Sequence, residues 1–171
     1  SGNLVKAELP KRFNNNKDAY AFIQKCKDAT FSVASLEKRP AKKSPTAPFT
    51  TSTLQQEASR KLGFSVNQTM VVAQKLYEAG KITYMRTDSV NLSDDALHSI
   101  QKEVLSKYGE DFFQRRVYAN KSKGAQEAHE AIRPSYMSNK TVDGDNSHQR
   151  LYDLIWKRTI SSQMTDAHFD R

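Results

Sequence analysis

The run ITYMRTDS, Ile82 to Ser89, sets a phenol, a guanidinium and a carboxylate at every second residue: Tyr84, Arg86 and Asp88. Bulky or β-branched residues alternate there with polar ones, soon after Gly80. The pattern predicts a short strand with those three side chains on one face. A phenol is a weak nucleophile at neutral pH, because ionisation near ~10 leaves about one molecule in a thousand as phenolate. Reaching the phenolate costs roughly 4 kcal/mol unless a cation stabilises it or a base takes the proton. A neighbouring Arg favours the phenolate and also pairs with phosphate oxygens through its fork of donors. These residue types suit tyrosine attack on a phosphodiester. They suit equally a surface-packed ring beside an Arg–Asp ion pair, and the residues alone leave both readings open.

The elements that must position this run are helices. Ser52 with Gln55 makes a capping-box pattern, and Gly63 closes the helix it opens. Ser65 with Gln68 repeats the pattern for a second helix running to Gly80, with Val66, Met70, Val71, Ala73, Leu76 and Tyr77 as expected core. Gln74 and Glu78, four apart, share another side of it. Two helices joined by Gly-Phe-Ser and followed by the Tyr84 strand give a helix-turn-helix and wing order. Ser93 caps a third helix with Asp94 and Asp95 in its first turn; Leu97, Ile100, Val104 and Leu105 face inward and Gly109 ends it.

Beyond it, Arg115 and Arg116 lie among aromatics, a surface pattern that can also contact nucleic acid. Asn120 to Gly124 reads as a polar loop and Ala125 to Ile132 as a short helix before Pro134. Asp143-Gly144-Asp145 reads as a turn rather than a metal site. A last helix from Asn146 to near Met164 is expected to bury Leu151, Leu154, Ile155 and Ile160, with Trp156 at its edge. Towards the N-terminus, Leu4–Leu9 and Phe31–Leu36 alternate as strands. They flank a helix capped by Asn16 that presents Ala19, Phe22, Ile23 and Cys26 on one face. That strand-helix-strand piece is too small to bury much by itself. Lys38 to Pro48, with three prolines and four basic residues, reads as a linker or hinge.

With 171 residues there is room for one compact domain and an appendage. Lys and Arg outnumber Asp and Glu by 27 to 19, and the net charge of +8 suits a polyanionic partner. The single cysteine, Cys26, excludes an intramolecular disulfide and a cysteine metal cluster, and its place in a helical apolar pattern predicts a small core residue. No apolar run reaches membrane-spanning length and no signal peptide opens the sequence, which points to an intracellular setting without a membrane partner. The opening Ser1-Gly2 reads as a tag remnant on part of a longer protein.

LYEAGKITYMRTDSVNLSDDA followed by QEAHEAIRPS resembles the active-tyrosine region of type IA DNA topoisomerases, within them most like bacterial DNA topoisomerase I. The similar blocks run in order from PFTTSTLQQEA at Pro48 to LYDLIWKRTISSQMTDAHFD, about three-quarters of the chain, and Met85 after the tyrosine favours the topoisomerase I branch. The resemblance implies that Tyr84 attacks a single-strand phosphodiester, keeping the 5′ phosphate as phosphotyrosine until the 3′ hydroxyl reseals the break without ATP. It implies a scissile-phosphate contact for Arg86 and a phosphate donor in His129. Glu78, Thr83, Thr87, Asp88 and Gln74 map to polar positions around the family tyrosine, as site support or as scaffolding.

It further implies single-stranded and negatively supercoiled DNA as partners, supercoil relaxation as the outcome, and a cytoplasmic, nucleoid-associated bacterial setting. Mg²⁺ is implied on a separate acidic toprim domain that this sequence lacks, together with the other domains of the parent. The chain alone is therefore expected to bind DNA weakly and not to cleave it.

Two other classes compete. A tyrosine recombinase would place its histidine and arginine three apart, whereas His129 and Arg133 are four apart and follow the tyrosine. A non-catalytic winged-helix DNA-binding module would use the capped helices and basic balance without Tyr84, and a purely structural piece would not bind DNA. The expected fold is mainly α with short strands: a catabolite-activator-like winged-helix domain over 45–171, preceded by part of a β-containing arch domain and basic linker over 1–44.

Overall fold

A computed structural model of the chain describes residues 6–118 and 129–170. The chain divides into two compact units, Ser1–Arg39 and Pro40–Arg171. Elements follow in the order α1 (Asn16–Lys27), β1 (Pro40–Lys43), α2 (Thr51–Leu62), α3 (Val66–Glu78), α4 (Asp94–Tyr108), α5 (Asn146–Ser161) and β2 (Ala167–Asp170), with a 3₁₀ turn at Glu110–Phe112 after α4. The described residues are mostly helical with one small antiparallel sheet, as the expected mainly α fold class with short strands required.

The first unit holds α1. Its cap is Asn15, one residue earlier than expected, whose side chain accepts from the Asp18 amide at 2.9 Å. No residue of α1 is buried, so its apolar stripe is exposed and Cys26 is half-buried rather than core. Phe13 and Phe22 pack ring against ring at 5.3 Å. The expected strands do not form among the described residues of this unit: 6–9 and 31–36 make no ladder, and Phe31, Val33 and Leu36 are exposed. Alternation marks a strand only when a neighbour supplies ladder bonds and a face to bury, and this unit supplies neither. Residues 4 and 5 of the first expected strand lie outside the described residues.

In the second unit, α2 begins one residue before Ser52. Thr50 is the cap, bonded reciprocally with Thr53, so the capping box is Thr50/Thr53 and not Ser52/Gln55. Ser52 with Gln55 fits the usual Ser/Thr-x-x-Glu/Gln pattern and Thr50 with Thr53 does not, yet the Thr53 hydroxyl takes the part of the Glu or Gln by accepting from the Thr50 amide. Gly63 closes α2 at φ +72°, Ser65 caps α3 through the Gln68 amide, and Gly80 follows α3 at φ +67°. On α3 the buried residues are Thr69, Val72, Ala73 and Leu76, whereas Val66, Val71 and Tyr77 are exposed. The inward stripe is rotated from the expected one, because Thr69 can go inside by donating to the Ser65 carbonyl at 2.8 Å.

Ser93 caps α4 as expected, with Ala96, Leu97, Ile100 and Val104 buried and Leu105 at the margin of exposure. Asp145 caps α5 by accepting from the Ser147 and His148 amides at 2.7 and 3.0 Å, so the chain bends at Asp143-Gly144 and one of the two acids has a structural use. Helix α5 ends at Ser161, short of Met164. Trp156 is not at an edge: it is 2 % exposed, and its indole N–H donates to the Met137 carbonyl at 2.9 Å. The core gathers Phe49, Leu54, Leu76, Ile82, Met85, Ile100, Ile132, Leu151, Ile155 and Trp156 from α2 to α5 and from the irregular segments between them.

Part of the expected linker is strand. Pro40–Lys43 pairs antiparallel with Ala167–Asp170, Pro40 opposite Asp170 and Lys43 opposite Ala167. The partner lies far along the chain in a segment with no strand pattern of its own, so local reading sees only the prolines and lysines. Asp166 anchors the base of this ribbon, 2.5 Å from Arg116. The Ser44 hydroxyl holds its carboxyl below the usual range, and Arg116 acts in the same direction against burial. The loop and short helix expected over 120–132 lie mostly outside the described residues.

Candidate active site

The Tyr84 run is not a ladder strand. It makes a single bridge, Ile82 to Pro134, and is otherwise held by isolated bonds to two distant segments. The Thr83 amide donates to the Arg133 carbonyl at 2.9 Å, and the Ser135 amide to the Lys81 carbonyl at 2.9 Å. On its other side, the Thr51 amide donates to the Thr87 carbonyl at 2.9 Å. Residues 131–133 are fixed in turn, with Ile132 donating to the Phe49 carbonyl and Ala131 to the Asn91 carbonyl, each at 2.8 Å. Three extended segments that are remote in sequence thus lock one another.

The run nonetheless keeps the alternation of an extended chain. Met85, Thr87 and Ser89 are buried, whereas Tyr84, Arg86 and Asp88 are exposed. Met85 and Ile82 are the apolar anchors, 1 % and 2 % exposed. Burying one set of side chains fixes which way the other set points, and that is why the phenol, guanidinium and carboxylate share the solvent side.

The two threonines are the fasteners. Thr83 donates to the Ala131 carbonyl at 2.7 Å and accepts from the Arg133 amide at 2.9 Å. The Thr87 amide donates to the Thr51 hydroxyl at 2.9 Å, and that hydroxyl donates to the Met85 carbonyl at 2.8 Å. The Thr87 hydroxyl accepts from the Ser89 amide at 3.1 Å. Thr83 and Thr87 therefore hold backbone, the scaffolding half of what the sequence allowed.

An open cleft of about 410 Å³ lies beside the run, walled by Thr51, Ser52, Arg86, Thr87, Asp88 and His129. It brings Arg86, Asp88 and Thr87 together with His129 from the far side of the sequence, and adds Thr51 and Ser52 from the start of α2. His129 is exposed; Glu130, next to it, does the anchoring. Glu130 accepts from the Ser93 amide at 2.7 Å and from the Arg133 guanidinium at 2.6 Å. Burial pushes its carboxyl up, but the Ser93 and Arg133 hydrogen bonds outweigh that and hold it below the ordinary range.

Tyr84 does not wall this cleft. It is 44 % exposed, and its ring meets Tyr77 of α3 edge to face, 5.2 Å between centroids at 65°. On the same helix the Gln74 amide donates to the Glu78 carboxylate at 2.7 Å, the shared side expected from their spacing. The phenol thus stands at the α3 side of the run and the guanidinium at the α2 side. Gln74, Glu78 and Thr83 are not walls of the cleft either.

Three residues here escaped the sequence reading: Tyr77, taken as core, Ser52, taken as a helix cap, and Thr51, given no role. Tyr77 had a legible signal, lying seven residues before Tyr84 at the end of a helix that feeds it. Thr51 had none, since its bonds depend on a segment more than thirty residues away.

Residues 2–171 match the family described as DNA topoisomerase. The chain belongs to the type IA DNA topoisomerase family. It is 46 % identical over 169 residues to the prokaryotic-type DNA topoisomerase 1 of Acanthamoeba polyphaga mimivirus, covering 97 % of this chain and 20 % of that protein. It is 54 % identical over 157 residues to DNA topoisomerase 1 of Streptomyces coelicolor, covering 88 % of this chain and 16 % of that protein. The full-length topoisomerase I structure from Thermotoga maritima superposes with a TM-score of 0.71 at 34 % identity, over 95 % of this chain and 28 % of that one. The chain thus spans about a fifth of the length of the curated topoisomerases it matches. The match also takes in the N-terminal unit, which the sequence motifs did not reach.

A type IA chain raises the question of Mg²⁺. Among the described residues no three His, Cys, Asp or Glu side chains come together where an ion could sit, so these residues do not fit a metal site. No helix among them is long and apolar enough to cross a membrane.

Proposed function

We propose that Tyr84 is the nucleophile of a strand-passing topoisomerase and that this chain is the active-tyrosine part of a longer enzyme. The observation that carries the reading is that the exposed Tyr84 stands two residues from Arg86, which lines one cleft together with His129. The phenol oxygen attacks the phosphorus of a single-strand phosphodiester and the 3′ oxygen leaves, giving a 5′-phosphotyrosine; the reverse attack by the 3′ hydroxyl reseals the strand. One phosphoester replaces another, so no nucleotide is consumed. Arg86 and His129 neutralise the non-bridging oxygens as charge builds on them. Asp88 shares the cleft wall with Arg86, while Thr83 and Thr87 keep the backbone fixed beneath the reacting groups. Glu78 is held by Gln74 on α3, the helix whose Tyr77 ring supports Tyr84.

Mg²⁺ and the acid that protonates the 3′ oxygen are expected on a toprim domain elsewhere in the full-length enzyme, with negatively supercoiled DNA as substrate. In a bacterial cytoplasm such an enzyme relaxes supercoils at the nucleoid. We also propose that Ser1–Arg39 belongs to the arch domain, and that α2 and α3 are the helix-turn-helix of a catabolite-activator-like domain. The Gly63-Phe64-Ser65 connection favours the second of these; the absence of a paired wing at Tyr84 is where it departs from a winged helix. The test is relaxation of supercoiled plasmid by the full-length enzyme with Mg²⁺. Tyr84→Phe abolishes it, and Arg86→Ala lowers it by about a hundredfold or more while leaving the fold intact. Full activity of Tyr84→Phe would refute the proposal and favour a DNA-binding module.

A further inference from the structure

A second cleft, of about 570 Å³, lies at the other end of α2, against α5. Its walls carry Lys61, Lys140, Arg150, Lys157 and Arg158 against one carboxylate, Asp153. None of these residues walls the cleft that holds Arg86 and His129.

Two of the cations serve the fold. The Arg150 guanidinium donates to the Leu62 carbonyl at 3.1 Å, and Arg158 lies 4.2 Å over the Phe49 ring while donating to the Ala47 carbonyl at 3.3 Å. The others stand at the rim. Lys140 sits 5.8 Å over the buried Trp156 ring, Lys61 is half exposed beside Glu57, and Lys157 is 64 % exposed beside Asp153. The exposed Lys157–Asp153 pair contributes little to stability, and Lys61 keeps half of its side chain in solvent, so with Lys140 these lysines remain available to meet a phosphate. Tyr108, an exposed ring on the same wall, adds a surface on which a base or sugar can rest.

We propose that this cleft holds the phosphate backbone of a nucleic acid, as a second site separate from the cleavage cleft. The inference rests on the reading of the chain as a DNA-handling domain. Helix α2 sets the spacing: Ser52 walls the first cleft and Lys61 the second. Nine residues at ~1.5 Å each put them about 14 Å apart along the axis, a distance that a few nucleotides bridge. The recognition is of backbone charge and is independent of sequence, since the cations are flexible ammonium groups or guanidinium groups already bonded to the fold.

The experiment uses the unmutated chain and an oligothymidylate at low salt, with lysine acylation read by mass spectrometry. Lys61, Lys140 and Lys157 are expected to be protected several-fold by the oligonucleotide, and Lys102, exposed on α4, is not. The paired variant Lys140→Glu/Lys157→Glu is then compared with Lys102→Glu by fluorescence anisotropy, after thermal melts confirm that both fold. Affinity is expected to fall about tenfold or more in the first and less than about twofold in the second. The salt slope is expected to shrink by roughly 0.7 to 0.9 for each phosphate that the paired variant no longer neutralises. Equal losses in both variants, or no protection at Lys140 and Lys157, would overturn the proposal. A failure of the cleavage chemistry would read differently: no adduct at Tyr84 once the remaining domains of the enzyme and Mg²⁺ are added, with the protection pattern of this chain intact.

Discussion

Thr83 belongs to the site by resemblance, and its atoms give it a job that can be measured. Its hydroxyl closes bonds to two backbone groups of the 131–133 segment. Thr83→Val would strand the Arg133 amide and the Ala131 carbonyl, at a cost of about 1–3 kcal/mol, while Thr83→Ser would recover most of it. Denaturant melts of the two variants check this. Glu130 makes a pH-dependent claim at the same scale. Its folded-state carboxyl is held below the ordinary 4.5, so the stability it contributes is present above that value and is lost as pH falls through the folded one. The stability gap between the parent chain and Glu130→Gln is expected to be widest near neutral pH and to close in acid. A gap that does not change across that range would dismiss the clamp. These two residues also mark what a sequence can and cannot reveal. A motif flagged Thr83, but Glu130 is legible only once Ser93 and Arg133 are seen to converge on it.

At the scale of elements, α3 and the glycine after it deliver the tyrosine. Gly80 has φ +67°, with open space where a side chain would be, so an added Cβ meets backbone strain and no neighbour. Gly80→Ala is expected to cost about 1–2 kcal/mol in thermal or denaturant melts. A neutral result would mean that the turn relaxes freely and does not fix the exit of the Tyr84 run. The helices were legible because caps and glycines are local signals: Ser65, Ser93 and Gly63 stand where the pattern put them. The strands were not. Phe31–Leu36 alternates without a partner and stays unpaired, whereas Pro40–Lys43 has no alternation and pairs because Ala167–Asp170 is available. Pairing is a property of two segments, and a single sequence window contains only one.

At the scale of the molecule, the second unit separates its tasks. Its core joins α2 to α5 through Trp156 and its neighbours, and the irregular segments that carry Arg86 and His129 are tied to that core by backbone bonds rather than by a sheet. The direction of the Tyr84, Arg86 and Asp88 side chains was readable from alternation alone. The convergence of Arg86 and Asp88 with His129 and the N-terminus of α2 was not, because it depends on which extended segments lie side by side. The central claim is covalent chemistry at Tyr84, and one measurement reaches it directly. This chain is mixed with the remaining domains of the full-length enzyme, Mg²⁺ and a 3′-labelled single strand, quenched with denaturant, and digested for mass spectrometry. A 5′-phosphotyrosine on the peptide containing Tyr84, lost in Tyr84→Phe, is the predicted result; an adduct on another residue, or none where the intact enzyme also forms none, would contradict it.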